Sequence, residues 1–590
     1  MEQPSIIKID YKFKSTKFLV ENLVAFLTVK RISHLSVLLN PICIICGISY
    51  LLLPIYTIFW DVFGILIIIT LFVNGLLVYL SSIKVNKATK LGKKLNLICY
   101  VYLVFMILAL MGIIGGNLLI HANYTNLIIN SLGGYFLIYF CYISLFTFSF
   151  LIALFDVKNI NNRILWNSEN NIDKAVSNGR LKKVLKRILT ILSSITFIIG
   201  GLCAFVTLFG SFEIVTTIFA MFSSQFGAFF SLIFLANMLL LFKLKKHKWK
   251  PKKIKRKTIT GLVISFVMLL PLLLTHITIF VANKNFSNAF GDDWQNRIPV
   301  NVNKYFLRTP FTTSGYFLGI PPKNCLVEEH TLFYDGEGIN LYFDAYMPLK
   351  NGVGLPGQNS TILSIHGGGW ILGDKGGLGR IPINKYLAAQ GYIVFDIQYG
   401  LVDSFLTPID PTTPRYTKGD FNIDDMVRHI GIFTNFLAEN AQRYGANLDS
   451  VFVTGGSSGG HLTCATALAI ANGNYSDILN STLTIKGIVP YYPANGMASW
   501  FGIDGREEFK NPEILIEESS PPCLIFQGTH DILNYFGIAT NIRDIYISQN
   551  NKQCAIIWMP LGGHGCDTYY PGYYSQIFLY YMERFLYLYH

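Results

Sequence analysis

Acidic residues are scarce in the first half of this chain. Residues 1–281 hold 8 Asp and Glu against 29 Lys and Arg, whereas residues 282–590 hold 27 against 19. The formal net charge of +13 therefore describes neither half. The basic excess sits in short connections between long apolar runs, which is a pattern of membrane topology and not a nucleic-acid footprint. Cysteine is present but unpatterned: of ten, five fall in each half, and Cys325, Cys464, Cys523, Cys554 and Cys566 have no tight spacing. That argues against a disulfide framework, and no His, Cys, Asp or Glu cluster has metal-ligand spacing. No phosphate-cradling or dinucleotide glycine motif occurs either, so neither metal nor cofactor is expected. Charge is nearly missing from the apolar runs, where Asp61 and Glu213 lie near ends and His276 is the one ionisable side chain well inside. An intramembrane ionisable group is a functional suspect, but one histidine makes no proton relay. An anchor or lipid-access scaffold therefore ranks ahead of a transport or binding protein with an accessory domain.

What is present is a run of segments long enough to span a bilayer, which takes about 20 mostly apolar residues. Seven such segments are expected, at 35–57, 61–82, 97–119, 127–155, 188–209, 215–242 and 259–281, with Pro41, Pro54 and Pro271 inside spans. The chain then divides into an N-terminal segment 1–34, a membrane domain 35–281, a linker or cap segment 282–324 and a second domain 325–590. Residues 1–34 carry six Lys and Arg, 84–94 five, 156–187 eight and 243–257 ten, while the intervening connections IFWD, HANYTN and GSFE carry none. The positive-inside rule places the N-terminus in the cytoplasm and residues 282–590 on the extracellular or lumenal side. The sequons at Asn123, Asn285, Asn359, Asn474 and Asn480 all fall on that outer side. Residues 11–31 have the makings of an interfacial helix. The basic loop 243–257 reads first as a stop to translocation and second as a contact for anionic lipid headgroups.

Past residue 324 the pattern changes. CLVEEHTLFY (325–334) and GINLYFDAYMP (338–348) read as strand, turn, strand. Short β-branched runs follow at 361–366, 392–399, 450–455, 484–492, 522–528 and 554–560, with helical stretches at 424–445 and 460–473 among them. Strands alternating with helices predict an α/β domain with a mostly parallel central sheet covered on both faces. The fold class is thus an α-helical transmembrane bundle followed by an α/β domain.

Two motifs carry chemistry. In SVFVTGGSSGGHL a strand runs into a helix through Gly455-Gly456-Ser457-Ser458-Gly459, a G-x-S-x-G pattern that lifts a serine hydroxyl above a sheet on a sharp turn. A second register centred on Ser458 also fits, and Ser457 is preferred because it lies nearer the strand end. In SIHGGGW (364–370) a glycine run directly after a strand leaves backbone N–H groups bare. Gly367 and Gly368, with the Ser458 N–H, are the candidate oxyanion donors. The remaining partners follow in chain order: Asp531 just past a strand in GTHD, and His564 between glycines in GGHG. Ser457, Asp531 and His564 are the candidate catalytic residues. His530 and His461 are the rival bases, the first too close in sequence to Asp531 and the second one helical turn past the serine. Trp370 and Trp500 are candidates for the substrate pocket or for ordinary packing, and 496–520 for a cap.

IHGGGW, GGSSGGHL, GTHD and GGHG resemble the carboxylesterase and hormone-sensitive-lipase-like branch of the α/β-hydrolases over residues 325–590. The resemblance implies cleavage of carboxylic esters without metal or cofactor, and an oxyanion hole supplied by the glycine run. One position departs from the pattern, since the residue before the serine is often acidic in that branch and is Gly456 here. The expected function is a membrane-anchored serine hydrolase acting on a small-molecule or lipid ester, with membrane lipids around it. An acyltransferase using the same acyl-enzyme is the alternative.

Overall fold

The computed structural model describes residues 28–53, 58–121, 127–166, 180–245, 251–377, 379–403 and 412–590. The interfacial helix expected at 11–31 lies outside them up to position 27, as do Pro54, Asn123 and the middle of the 243–257 loop. The chain forms two compact units, one of residues 1–113, 139–199 and 232–263, the other of 114–138, 200–231 and 264–590.

Nine helices of twelve residues or more dominate the described residues up to position 290: α1 (Val29–Leu52), α2 (Ile58–Lys84), α3 (Lys90–Ile120), α4 (Leu127–Lys158), α5 (Arg180–Phe209), α6 (Ile214–Gln225), α7 (Gly227–Lys245), α8 (Pro251–Leu273) and α9 (Thr275–Phe290). Seven stretches of these are long and apolar enough to cross a membrane. Three differ from expectation. The first runs Val29–Leu52 and not 35–57, so it ends before Pro54. The sixth begins at Gly227 and not at 215, because the helix breaks at Phe226. A Cβ on Gly227 would stand 2.3 Å from the Met268 carbonyl, so close helix approach demands glycine there. The last stretch runs 39 residues, Lys252–Phe290, so the segment expected as linker begins as helix.

Within the first unit, small polar side chains join α1 to α2. Ser36 Oγ donates to Asn74 Oδ1 (2.9 Å), and the Asn40 and Asn74 amides exchange hydrogen bonds at 3.0 and 2.8 Å. Lipid tails offer helices no hydrophobic reason to associate, so such contacts and small-residue packing hold a bundle together. Gly47 faces the Tyr142 ring, whose hydroxyl donates to the Cys43 carbonyl. Asp156, read from sequence as part of a loop, lies in α4, fully buried and bonded by Ser81 Oγ. His276 is exposed on α9.

In the second unit an eight-stranded sheet is built from β1 (Leu326–Gly336), β2 (Ile339–Met347), β3 (Ser360–Ile365), β4 (Ile393–Ile397), β5 (Asn447–Gly456), β6 (Ile485–Tyr491), β7 (Cys523–Gly528) and β8 (Cys554–Met559). Their spatial order is β1-β2-β4-β3-β5-β6-β7-β8. The first two pairings, β1 with β2 and β2 with β4, are antiparallel and the rest are parallel. Every residue of β3, β4 and β7 is buried, as a sheet covered on both faces requires. The covering helices include α10 (Arg380–Ala389), α11 (Ile423–Tyr444), α12 (Ser458–Asn472), α13 (Phe536–Ser548) and α14 (Tyr573–Tyr589). The limits of α11 follow from its ends: Asn422 and Asp425 form a reciprocal cap, and Gly445 stops the helix in the left-handed conformation. The parallel strands all point their C-terminal ends to one edge, which carries the loops described next.

Candidate active site

Ser457 stands between β5 and α12 with φ +59° and ψ −123°, a backbone conformation that a side chain seldom adopts. Its neighbours explain how that turn is held. A Cβ on Gly455 would lie 2.4 Å from the Gly459 carbonyl, and one on Gly459 2.3 Å from the Ile365 carbonyl. Both flanking positions must therefore be glycine for β3, β5 and α12 to meet here. Ser458 has no such torsion; it is the first residue of α12 and fully buried.

The structure brings three of the expected residues into one row. His564 Nε2 lies 3.1 Å from Ser457 Oγ, and His564 Nδ1 lies 2.8 Å from Asp531 Oδ2. Asp531 also accepts from the Asn534 N–H at 2.9 Å, which fixes its carboxylate. Exposure falls along the row, from 9% at Ser457 and 8% at His564 to 2% at Asp531, so the serine end is the open one. Burial by itself disfavours the imidazolium, but the Asp531 charge and hydrogen bond, with the Asp567 charge behind them, outweigh it. His564 therefore titrates above the ordinary histidine value of 6.5.

Neither rival histidine shares this row. His530 places Nε2 3.0 Å from the Leu208 carbonyl and Nδ1 3.0 Å from Thr529 Oγ1. His461 is buried; its Nδ1 accepts from Trp370 Nε1 (3.2 Å), and its Nε2 reaches the Phe509 carbonyl (2.7 Å). Burial pushes His461 down to about 4, so it remains neutral and serves as a fixed donor to the segment 496–520.

The glycine run packs on the serine turn: a Cβ on Gly367 would lie 2.5 Å from the Gly456 carbonyl. Gly368 and Gly369 take φ +133° and +64°. Among the described residues, none accepts a hydrogen bond from the Gly367 or Gly368 N–H groups. The two tryptophans part company. Trp370 is 1% exposed with its N–H bonded to His461, whereas Trp500 is 83% exposed on a 3₁₀ turn, Ala498–Phe501. Phe501, beside Trp500, meets the Trp370 ring edge-on at 5.7 Å.

A cluster behind the turn was not legible in the sequence. A Cβ on Gly456 would lie 2.7 Å from Arg380 Nη2 and 3.3 Å from the Tyr492 hydroxyl. Arg380 Nη2 lies 3.7 Å from Asp567 Oδ2, Tyr492 donates to Asp567 Oδ1 at 2.8 Å, and the Tyr492 ring stands edge-on to His564 at 4.7 Å. Arg380 thus fills the space beside Gly456, and Asp567 places a carboxylate near the turn. Asp567 follows His564 by three residues, but nothing in the sequence ties Arg380 to it. Among the described residues, no cluster of His, Cys, Asp and Glu is arranged to hold a metal ion.

A family model described as BD-FAE matches residues 343–507. Over that stretch the second domain is similar to α/β-hydrolase and esterase domains. Among curated relatives, a probable carboxylic ester hydrolase, LipM, of Mycobacterium tuberculosis is 30% identical over 139 residues, 23% of this chain and 28% of that protein. The probable isoprenylcysteine α-carbonyl methylesterase ICMEL1 of Arabidopsis thaliana is 22% identical over 260 residues, 39% of this chain and 46% of that one. The chain thus spans less than half the length of the curated relatives it matches. Esterase 2 of Thermogutta terrifontis, solved phosphorylated by paraoxon, is 18% identical and covers 41% of this chain and 84% of its own, with a TM-score of 0.33.

Proposed function

We propose that this protein is a membrane-anchored serine hydrolase of carboxylic esters. The observation that carries the reading is the row Ser457 Oγ, His564 and Asp531, with contacts of 3.1 and 2.8 Å. The name of the LipM relative, a probable carboxylic ester hydrolase, adds to it.

Ser457 Oγ attacks the ester carbonyl carbon while its proton passes to His564 Nε2. Asp531 holds Nδ1–H and offsets the imidazolium charge. The carbonyl oxygen, now negative, takes hydrogen bonds from the backbone N–H groups of Gly367, Gly368 and Ser458. One such donor is worth about 10²–10³ in rate. The carbon–oxygen bond to the alcohol then breaks, and the alcohol leaves with the proton from Nε2. Water, deprotonated by His564, attacks the acyl-serine, and the acid departs as Oγ recovers its proton.

In this reading the enzyme domain lies outside the cytoplasm and the N-terminus inside. Two of the three Lys- and Arg-free connections, HANYTN and GSFE, fall in the unit that holds the hydrolase-like domain, and the third, IFWD, falls in the unit of the basic connections. Of the described sequons, Asn285, Asn359 and Asn480 already spend their amides on hydrogen bonds, and Asn474 is exposed. Asn474 is accordingly the one best placed to carry a glycan.

The test is labelling of membranes with a fluorophosphonate, comparing wild type with Ser457→Ala and Ser458→Ala. Labelling that is lost in Ser457→Ala and kept in Ser458→Ala is expected, with ester turnover down at least about 10³-fold in Ser457→Ala. Loss in Ser458→Ala alone would contradict the assignment of the nucleophile.

A further inference from the structure

The loop carrying His564 does not face solvent on all sides. Glycines flank the histidine, and α6 lies against both. A Cβ on Gly563 would stand 3.1 Å from Ala220 Cβ, and one on Gly565 2.6 Å from the end of the Met221 side chain. The next residue of α6 to reach this loop is Gln225, at its C-terminal end. Its Oε1 accepts from the Tyr569 N–H (2.7 Å) and its Nε2 donates to Thr568 Oγ1 (2.9 Å). Just before α6, the Leu208 carbonyl meets His530 Nε2 in the loop that also holds Asp531. The segment 208–225 is therefore a wall of the site that bears His564 and Asp531.

The same segment carries large apolar side chains that are left uncovered. Phe209 is 71% exposed, Phe212 63%, Ile218 56% and Phe222 44%. Residues 200–231 contain a single charged side chain, Glu213. On a water-facing surface such a cluster of large apolar groups is unfavourable. Here both flanks, Lys183–Phe209 and Gly227–Lys245, are long and apolar enough to cross a membrane. Exposed phenylalanines at the joint of two spans belong in the acyl region of a bilayer.

We infer that α6 is the bilayer-side wall of the catalytic site, and that the substrate is a membrane amphiphile. Its acyl chains stay in the hydrocarbon along Phe209, Phe212, Ile218 and Phe222 while its ester carbonyl reaches Ser457. This inference rests on the serine-esterase reading above and adds the substrate class: a long-chain ester presented from the lipid phase.

The test uses full-length protein in phosphatidylcholine vesicles. Turnover of vesicle-embedded dioleoylglycerol is compared with turnover of the water-soluble p-nitrophenyl butyrate. For Ile218→Asp/Phe222→Asp the ratio of the two rates falls at least tenfold, while Val353→Asp, at an exposed apolar residue of the enzyme domain, keeps the wild-type ratio. A ratio unmoved by the double substitution overturns the inference. A second measurement does not depend on how the variant folds: diacylglycerol with a photoreactive diazirine in one acyl chain labels the wild-type 205–225 peptide. Labelling confined to other spans overturns the inference. If the wild type takes up fluorophosphonate and cleaves the soluble ester but fails both lipid tests, only the substrate class is wrong. If it takes up no fluorophosphonate, the esterase reading itself fails.

Discussion

Asp567 is the residue whose effect on the chemistry can be read most directly. It accepts from Tyr492, pairs with Arg380 and adds to the charge that holds His564 above the ordinary histidine value. The proposed base must be neutral to take the serine proton, so activity falls as pH drops through the pKa of His564. The acid limb of kcat/KM is therefore expected above pH 6.5, the ordinary value. Replacing Asp567 by Asn removes a charge that favours imidazolium, so the limb moves to lower pH, as a pH–rate profile would show. An unmoved limb would assign Asp567 to structure alone. The candidate residues Ser457, Asp531 and His564 can be picked from sequence one by one, because each sits on a strand end or between glycines in a motif that local rules describe. The Gly456–Arg380–Asp567 arrangement was not, because it joins three separate loops, and no local pattern marks an arginine that fills a missing side chain.

At the scale of elements, strands were read from sequence to within a few residues. Their apolar runs are short, β-branched and bounded by turns, as with 522–528 against Cys523–Gly528. The capped helix 424–445 was read equally well, against Ile423–Tyr444. The break at Phe226 was missed. Hydropathy runs unbroken through 215–242, and the break comes beside the approach of Gly227 to Met268, a tertiary contact that hydropathy does not carry. That break frees α6 to pack on the His564 loop through Gln225. In Gln225→Ala the Tyr569 N–H, in a buried residue, loses its acceptor, at a cost of about 1–3 kcal/mol. The expected outcome is a lower denaturation midpoint in detergent together with a lower kcat on a soluble ester. Wild-type values for both would show that α6 does not support the loop.

For the whole molecule, the charge asymmetry between halves is the organising fact. It marks off the long apolar helices from the α/β domain, and the proposed orientation follows from where the basic loops fall. A tag at the N-terminus is expected to be reached by antibody only after permeabilisation, and a tag after His590 in intact cells or sealed vesicles of matching orientation. The reverse pattern would place the enzyme domain in the cytoplasm. The account as a whole depends on one serine. Mass spectrometry of the fluorophosphonate-treated protein tests it most directly: one adduct per chain is predicted, on Ser457, and it is lost when His564 is replaced by Ala. No adduct on folded protein, or an adduct on Ser458 that persists without His564, would contradict it.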